Sequence, residues 1–376
     1  MLSLIGSTGS VGKQTLEVLD HLGQRPVALT AGSNVRELEK QCRKYIPELA
    51  VLADENAARD LKTRLADTDI RVLGGNDAIC EAAAHPKADT AIIAVSGLYG
   101  LNPTLAAIGN VKRLAPANKE SLVYAGPMII EQAAASGTEL IPIDSELSAI
   151  HQCIELSGGE DVEHIIITAS GGPFYGRSLE SMHDVTVEEA LQHPTWCMGK
   201  KITVDSATML NKGYEIFEAM YYFNIPAEAI SVAVHRESIV HSIVQFNYGA
   251  TVFHLAVPDM RLPIQYALTY PERLVSLTKP LDLISTSKLT FTEPDTAAFP
   301  CLKLAMEAAK TGGYAGVALA ASGEAAVERF LNGTLRFTDI AKCVEAALTR
   351  IPSGNYTSID DIFAMDTEIR SFINKI

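Results

Sequence analysis

Short β-rich runs alternate with amphipathic segments over residues 1 to about 143 of this 376-residue chain. Helical patterns, for example at 35–45 and 122–135, lie between the β-rich runs. Alternation of this length is typical of a doubly wound parallel sheet, which binds its ligands at the carboxyl ends of the strands. We therefore predict a Rossmann-like α/β domain at 1–143. Its strands are predicted at residues 2–5, 26–30, 49–52, 70–73, 90–95, 113–115 and 139–143.

The pattern changes after residue 143. Residues 145–156 have a helical pattern and 162–169 a strand pattern, and more β-rich runs follow at hairpin-like spacing. We predict a central α+β domain at 144–269 that contains the chemistry. Its later strands are predicted at 231–235, 239–246 and 251–257.

The last third of the chain begins with a segment of no sustained period. Residues 270–298 contain Pro271, Pro280 and Pro294 and resemble a linker. A small helical bundle is predicted at 299–376. Its helices are predicted at 301–310, 316–331, 338–351 and 358–374.

Composition excludes some classes of partner. The formal net charge is −14, which argues against a nucleic-acid or anionic-membrane surface, because such surfaces need basic patches. Local cations must then attract any anionic substrate. The six cysteines lack CxxC spacing, which favours buried free thiols over a disulfide framework or a zinc cluster and suits a reducing cytoplasm. No apolar run approaches the roughly 18 residues of a membrane span, so we expect neither secretion nor membrane insertion.

A glycine-rich turn follows the first predicted strand. Gly6, Gly9 and Gly12 have the spacing of a turn that brings backbone amides to a pyrophosphate. Such a triplet is weak evidence alone, and its place at the start of a long α/β alternation strengthens it. The second strand ends at Gly32-Ser33-Asn34, without the acid that NAD enzymes place on the ribose, so the sequence favours NADPH. The alternative is that Ser33-Asn34 only makes a turn and a helix cap.

Three carboxylates predict a metal site. Asp144 and Glu146 follow an apolar run, and positions i and i+2 at the end of a strand project to one side. Glu215 adds a third acid near the start of a predicted helix. Hard oxygen ligands of this kind suit Mg²⁺ or Mn²⁺. The alternative for Asp144 is a cap on the helix that begins one residue later.

Hydroxyl, amide and ammonium groups nearby predict a phosphate site. Asn211 and Lys212 precede Glu215 on the same helix face, although a solvated helix end is the alternative. Ser170 stands before two glycines after a strand, a composition that suits an anion nest and also a plain turn. Ser206 completes the set of donors.

The segment 193–200 has the composition of a lid over a substrate. It contains the only Trp of the chain, Trp196, between a proline, a glycine and a lysine. An aromatic side chain there can exclude water from bound substrate. A buried structural Trp is the alternative, and His241 on a β-rich run is either a core histidine or a site residue.

Collinear motifs carry a further indication over almost the whole chain. They are Gly6-Ser7-Thr8-Gly9-Ser10-Val11-Gly12, Ala117-Asn118-Lys119-Glu120-Ser121, Asp144-Ser145-Glu146, Ser170-Gly171-Gly172-Pro173-Phe174, His193-Pro194 through Met198-Gly199, Val204-Asp205-Ser206-Ala207-Thr208 through Asn211-Lys212-Gly213, Pro258-Asp259-Met260 and Pro300-Cys301-Leu302 through Ala308. Together they resemble the motifs of 1-deoxy-D-xylulose 5-phosphate reductoisomerases. The resemblance implies a homodimeric, NADPH-dependent enzyme of the non-mevalonate isoprenoid pathway that requires Mg²⁺ or Mn²⁺.

The resemblance also implies a reaction and a role for each site residue. The ketose phosphate rearranges by a retro-aldol and aldol sequence to an aldehyde, which NADPH reduces to 2-C-methyl-D-erythritol 4-phosphate. The implied metal ligands are Asp144, Glu146 and Glu215. The implied substrate residues are Ser145, Ser170, His193, Ser206, Asn211 and Lys212. The implied catalytic and lid residues are Lys119, Glu146, His193, Trp196 and Met198. The implied cofactor residues are Gly6, Ser7, Thr8, Gly9, Ser10, Val11, Gly32, Ser33, Asn34, Asn118, Glu120 and Gly199.

The chain departs from the family pattern at several places. Leu147 replaces a usual His, Ser33 a frequent Lys, Arg236-Glu237 a usual Pro-Gln, and residues 320–323 differ as well. Two other functions therefore stay open. One is an NADP-dependent oxidoreductase that acts on another phosphorylated ketose or semialdehyde. The other is a non-catalytic NADPH-binding relative, against which the intact carboxylate trio weighs.

Overall fold

A computed structural model describes residues 1–159, 161–352 and 354–376. Contacts divide the chain into two compact units. The first contains residues 1–121, 127–148 and 259–279, and the second contains 122–126, 149–258 and 280–376. The four-part division drawn from the sequence stays a prediction.

The strands form one sheet in each unit. They are β1 (Leu2–Ile5), β2 (Pro26–Ala31), β3 (Leu49–Leu52), β4 (Arg71–Gly74), β5 (Thr90–Ile93), β6 (Arg113–Pro116), β7 (Glu139–Leu140), β8 (Val162–Ala169), β9 (Ile230–Val234), β10 (Val240–Phe246) and β11 (Thr251–Leu255). Every strand predicted from the sequence is present, with ends that differ by a few residues at most.

The helices fill the intervals predicted from the sequence and several others. They are α1 (Ser10–Leu22), α2 (Val35–Tyr45), α3 (Glu55–Arg64), α4 (Asn76–Ala83), α5 (Leu101–Ala107), α6 (Lys119–Ser136), α7 (Ser145–Leu156), α8 (Val187–Ala190), α9 (Lys200–Ala207), α10 (Leu210–Phe223), α11 (Arg261–Thr269), α12 (Leu283–Thr286), α13 (Pro300–Thr311), α14 (Tyr314–Leu331), α15 (Asp339–Leu348) and α16 (Ile359–Ile373).

The sheet of the first unit is parallel, in the order β4-β3-β2-β1-β5-β6-β7. Alternate residues of its strands enter different apolar cores, as the period of a strand requires. Leu4 belongs to a core shared with α1, α2 and α11, and Ile5 to a core shared with α4 and α5. Helices thus cover both faces, which confirms the predicted doubly wound fold. The strand order reverses between β1 and β5, where such sheets bind their ligands.

The sheet of the second unit has the order β11-β10-β8-β9. Strand β10 is antiparallel to β8 and β11, whereas β8 and β9 are parallel. The predicted hairpin spacing was therefore right for β10 and β11 and wrong for β9, which pairs with β8. A parallel pair needs a long crossover, and residues 170–229 with α9 and α10 supply it.

The four predicted C-terminal helices are α13 to α16. Helix α14 is buried along almost its whole length by the helices around it. Segment 280–298 includes α12, and its Thr292 pairs with Val234 at the edge of β9.

All six cysteines are free, as predicted, but the predicted burial is wrong for Cys197, which is exposed, and Cys80 is only partly buried. Burial raises the pKa of the Cys153 thiol to about 11 and the pKa of Cys301 to about 12, which keeps both thiols protonated and unreactive at neutral pH. Among the described residues, no helix combines the length and the apolar character that a membrane crossing requires.

Candidate active site

The glycine turn after β1 allows close approach of backbone to backbone. Gly6 has a φ of +90°, and a Cβ there would lie 2.4 Å from the carbonyl oxygen of Ala94. A Cβ on Gly12 would lie 2.2 Å from the carbonyl oxygen of Gly6, so the fold itself requires both glycines. Gly9 differs, because its Cβ would meet nothing closer than 3.5 Å, and it begins α1 without a side-chain cap. An exposed helix N-terminus without a side-chain cap favours an anionic ligand.

The remaining predicted cofactor residues of this turn fall into two groups. Ser7 is fully buried, and its hydroxyl contacts the carbonyl oxygen of Thr30 (3.1 Å) and Oε1 of Gln41 (2.6 Å). Its side chain therefore holds the turn against β2 and α2. Residues Thr8, Ser10 and Val11 are at least partly exposed beside Gly9.

The end of β2 is an exposed loop in which one side chain caps a helix. Gly32, Ser33 and Asn34 are all exposed, and Asn34 Oδ1 accepts a hydrogen bond from the Glu37 amide at 3.2 Å. The cap considered as the alternative for this segment is thus present at Asn34. Arg36, in the first turn of α2, is exposed and has no hydrogen bond or ion pair from its side chain among the described residues. Sequence reasoning missed this cation, although a basic residue just beyond the second strand is a readable signal.

The start of α6 fixes the loop after β5. Asn118 caps the helix through Oδ1, which accepts from the Ser121 amide at 2.8 Å. Its Nδ2 donates to the carbonyl oxygens of Val95 (2.8 Å) and Gly97 (2.9 Å) and to Glu120 Oε2 (3.2 Å). Asn118 and Glu120 thus connect the ends of β5 and β6, at the edge of the sheet where a cofactor is expected.

Asp144 both caps a helix and pairs with a cation. Its Oδ1 accepts from the amides of Glu146 (3.2 Å) and Leu147 (3.4 Å), and its Oδ2 lies 2.5 Å from Lys119 Nζ. Both side chains of this ion pair are about nine-tenths buried, at 8% and 10% exposure. Such a pair is costly to desolvate, which is a reason to look for a function beyond stability.

The predicted reason for the proximity of Asp144 and Glu146 was wrong. Strand β7 ends at Leu140, and Glu146 lies in the first turn of α7, so the two acids do not share a strand end. The helix start brings them together instead. Ser145, a predicted substrate residue, donates its hydroxyl to Glu146 Oε2 at 2.5 Å.

Three predicted substrate residues meet in the second unit. His193 Nε2 lies 2.9 Å from Ser170 Oγ and 3.2 Å from Ser206 Oγ. His193 Nδ1 accepts hydrogen bonds from the amides of Thr195 (3.2 Å) and Trp196 (2.9 Å), so the proton of a neutral ring sits on Nε2 and points to the two hydroxyls. These donors converge on one region, as a phosphate site requires.

The rest of the predicted lid segment is only partly buried. Trp196 is half-buried, with its ring 6.2 Å from that of His241, so it is not the fully buried structural Trp of the alternative. His241 itself is 6% exposed on β10. Met198 is half-buried, and Gly199 is the exposed N-cap of α9.

The start of α10 carries a compact polar trio. Glu215 is 0% exposed, and its Oε1 and Oε2 accept from Asn211 Nδ2 (2.6 Å) and Lys212 Nζ (2.7 Å). The shared face predicted from the offsets is confirmed, and the solvated helix end is excluded because Asn211 and Lys212 are 8% and 7% exposed. Asn211 Oδ1 is buried without a hydrogen-bond partner among the described residues. A buried and unsatisfied polar atom of this kind favours a ligand.

Residues 210–219 of helix α10 are buried on all sides, and residues 220–223 are half-buried. Gly213 allows the close approach of α13 on one of these sides, because a Cβ there would lie 2.3 Å from the Cβ of Ala305. The close contact of the two helices places the polar trio in the interior of the second unit.

Three family models match this chain. They are described as 1-deoxy-D-xylulose 5-phosphate reductoisomerase (residues 2–126), its C-terminal domain (residues 140–223) and the DXP reductoisomerase C-terminal domain (residues 255–372). The reductoisomerase of Acetivibrio thermocellus is 44% identical over 375 residues, which cover 100% of this chain and 98% of the relative. The chain belongs to the 1-deoxy-D-xylulose 5-phosphate reductoisomerase family.

Solved reductoisomerase structures have the same fold. The Zymomonas mobilis reductoisomerase in complex with NADPH has a TM-score of 0.92 at 40% identity, over 100% of this chain and 99% of that one. A reductoisomerase in complex with NADPH, fosmidomycin and magnesium has a TM-score of 0.95 at 37% identity, over 100% and 97% of the two chains.

One residue at a departure from the reductoisomerase pattern contacts the predicted phosphate loop. Arg236 Nη1 donates to the carbonyl oxygens of Ser170 and Gly172, the latter at 2.9 Å. The sequence shows that Arg236 is unusual, but it does not show which carbonyl groups the side chain reaches.

Proposed function

We propose that this protein converts 1-deoxy-D-xylulose 5-phosphate to 2-C-methyl-D-erythritol 4-phosphate, with NADPH as the reductant and Mg²⁺ or Mn²⁺ as the required ion. The observation that carries the proposal is the near-complete match to reductoisomerases, at 44% identity over 375 residues. Turnover should be compared between this substrate and other phosphorylated ketoses at matched metal concentration. A faster reaction with another ketose would favour the oxidoreductase alternative.

The cofactor proposal rests on the first unit. Relatives of this fold have been solved with NADPH, and the exposed, uncapped helix start at Gly9 suits the pyrophosphate. Gly32, Ser33 and Asn34 would line the adenosine end, with the exposed Arg36 as a nearby cation. The turn residues, Asn118, Glu120 and Gly199 keep the cofactor roles implied by the resemblance.

The metal proposal rests on the donor set. Asp144, Glu146 and Glu215 offer hard carboxylate oxygens, the ligands that Mg²⁺ and Mn²⁺ take. Lysines neutralise two of these acids, at 2.5 Å from Asp144 and 2.7 Å from Glu215, so the surroundings already tolerate a cation against each one. The bound ion would act as a Lewis acid on the carbonyl and hydroxyl oxygens of the substrate.

The remaining residues would bind, orient and protect the substrate. Ser145 would contact the sugar, and Ser170, His193, Ser206, Asn211 and Lys212 would hold the phosphate, which supplies binding energy away from the reacting carbons. Lys119 and Glu146 would handle charge and protons at the oxygens of the substrate. Trp196 and Met198 would exclude water.

We propose that two copies of the chain form a homodimer through the open side of the second sheet. Phe253, Ile243 and Ile166 lie opposite one another in register on β11, β10 and β8. Phe253 is 42% exposed, and no strand of the described residues pairs with the outer edge of β11. A free edge beside an apolar row is a surface that a second copy can cover symmetrically. We place the dimer in the cytoplasm, which suits the free thiols.

A charge within this row should break the dimer. Phe253→Lys is expected to sediment as a monomer, because an ammonium group would be buried against apolar neighbours. Leu283→Lys, at a position 58% exposed on α12, is the control and should sediment like the parent chain. Sedimentation velocity that shows a dimer for Phe253→Lys, or a monomer for the parent, would contradict the proposed interface.

Ser33 sets a prediction on cofactor choice. The parent enzyme should prefer NADPH to NADH, and Ser33→Lys should strengthen that preference by roughly 1 kcal/mol or more, because it adds a charge for the 2′-phosphate. Ser33→Gln is the control with a long neutral side chain. The ratio of kcat/KM for the two cofactors is the measurement, and equal use of NADH by the parent would refute the choice of NADPH.

Leu147 sets a prediction on rate. It is 0% exposed, where the family usually has an imidazole next to the proposed ligand Glu146. Loss of a group that supports a metal ligand costs roughly 10–100-fold, less than loss of the ligand. The parent enzyme should therefore be active, and Leu147→His should change kcat far less than Asp144→Asn. Equal losses in the two variants would contradict these unequal roles.

A further inference from the structure

The Arg236 side chain forms hydrogen bonds with the backbone of the loop that contains Ser170. Its Nη1 donates to the carbonyl oxygens of Ser170 and Gly172. Its guanidinium also stacks on the ring of Tyr175, 4.9 Å from the centroid, and the Tyr175 hydroxyl lies 3.2 Å from Thr292 Oγ1. The Arg236 side chain is therefore fixed by the loop carbonyls on one side and by Tyr175 on the other, and it stabilises the loop in turn.

The hydrogen bond to the Ser170 carbonyl fixes the direction of the Gly171 amide. In a trans peptide the carbonyl and the N–H point in opposite directions, so a bond to the Ser170 carbonyl turns the N–H of Gly171 away from Arg236. No hydrogen bond of that N–H is found among the described residues. The next amide, of Gly172, donates to Ser170 Oγ at 3.2 Å. Gly171 is thus the amide of this loop that is available to a ligand.

The backbone geometry of the loop is one that needs support. Gly171 and Gly172 have φ values of +76° and +65°, a conformation that glycine adopts in anion-binding nests. A Cβ on Gly172 would lie 3.0 Å from the carbonyl oxygen of Ser206. Two flexible glycines lose much conformational freedom when they are ordered, so a side chain that orders them beforehand favours binding.

The charge of Arg236 also faces no carboxylate. Among the described residues, no acidic side chain pairs with it, and the carboxylate of its neighbour Glu237 contacts His235 (3.0 Å) and the Thr290 hydroxyl (2.8 Å) instead. Arg236 is half-buried in a chain of net charge −14. Such a cation behind a peptide group polarises it and strengthens the donor on its other side.

We propose that Arg236 is a positioning residue of the phosphate subsite, which fixes the Ser170-Gly171 peptide so that the Gly171 N–H donates to a phosphate or phosphonate dianion. This proposal rests on the proposed function, because the phosphate role of Ser170 does. Arg236 acts through the peptide and does not touch the reacting carbons.

The test compares Arg236→Met and Arg236→Lys with the control Arg177→Met. Arg177 stacks on Phe174 at 5.3 Å and contacts Ser181, so its replacement removes a nearby cation without releasing the loop. The measurements are kcat and KM for the phosphorylated substrate, inhibition by the phosphonate fosmidomycin at several salt concentrations, NADPH affinity and thermal unfolding. Arg236→Met should raise KM and the inhibition constant about tenfold or more, with kcat within about threefold of the parent value.

These measurements distinguish the effect of the charge of Arg236 from the effect of its geometry. Arg236→Lys should recover part of the loss, and inhibition of Arg236→Met should depend less steeply on salt than inhibition of the parent enzyme. Arg177→Met should match the parent. The proposal is overturned if the KM and the inhibition constant of Arg236→Met stay within about twofold of the parent values, or if NADPH affinity falls as much as phosphonate affinity.

A failure of Arg236→Met to fold and a failure of the parent chain to turn over the substrate have separate interpretations. If Arg236→Met does not fold, Arg236→Lys is judged by the same criteria, and an unchanged KM, inhibition constant and salt dependence overturn the proposal. If the parent chain does not turn over the substrate but fosmidomycin binding still weakens about tenfold in the Arg236 variants, the proposed reaction fails while the phosphate subsite stands.

Discussion

Glu215→Gln is expected to lower kcat more than about 100-fold, since the loss of a direct metal ligand exceeds the loss of a group that only supports one. NADPH affinity should stay within about threefold of the parent value, because all the proposed cofactor residues except Gly199 belong to the other unit. Initial rates of NADPH oxidation give kcat. Electron paramagnetic resonance should show that the variant binds Mn²⁺ more weakly than the parent enzyme does. Turnover within about threefold of the parent, under ~1 kcal/mol of barrier, would show that Glu215 is not a ligand.

A matched control removes a buried carboxylate elsewhere in the second unit. Asp366 is 5% exposed and contacts Arg370 Nε (2.8 Å) and the Tyr124 hydroxyl (2.7 Å). Asp366→Asn should lower the unfolding temperature, because a buried pair is broken, and leave kcat per folded molecule unchanged. If both variants lose stability and activity in the same proportion, the effect of Glu215→Gln is on folding and not on the site.

Lys212→Ala is expected to raise KM for the phosphorylated substrate and to lower kcat, because a charge-assisted bond to phosphate is worth roughly 1.5–3 kcal/mol. It also removes the Lys212 ammonium from Glu215, which is 0% exposed. The unfolding temperature should therefore fall at neutral pH, and saturating Mg²⁺ should raise it by a similar amount in the variant and in the parent enzyme, because the metal ligands are retained.

The control for that variant is Lys303→Ala on α13, where the lysine is 67% exposed and lies 4.0 Å from Glu307. It should change neither KM nor stability, since exposed pairs contribute little. An unchanged kcat/KM in Lys212→Ala would rule out the phosphate role. If saturating Mg²⁺ does not raise the unfolding temperature of the parent enzyme, metal binding at Glu215 is contradicted.

The sequence predicts the local features of this molecule well. Strand runs and helix periods are properties of neighbouring residues, so all the predicted strands and the four C-terminal helices are found. The offsets of Asn211, Lys212 and Glu215 likewise predict their shared helix face, because the turn of a helix is fixed.

Features that depend on distant contacts were not predicted. Spacing cannot show that β9 pairs with β8 rather than with β10, since pairing is decided by α10 and the crossover. Segment 259–279 returns to the first unit, where Ile264 on α11 enters the core of α1. Long-range side-chain contacts were also not predicted. The ion pair of Lys119 with Asp144 and the hydrogen bond of Arg236 to the Gly172 carbonyl depend on where distant parts of the backbone lie.

NADPH oxidation by the purified chain with 1-deoxy-D-xylulose 5-phosphate, with and without Mn²⁺ or Mg²⁺, tests the central claim most directly. We expect turnover that needs both the substrate and a divalent ion, is abolished by a chelator and restored by the metal, and yields 2-C-methyl-D-erythritol 4-phosphate. No oxidation with either ion, in the parent chain and in Leu147→His alike, would contradict the proposed reaction and favour the non-catalytic NADPH-binding relative.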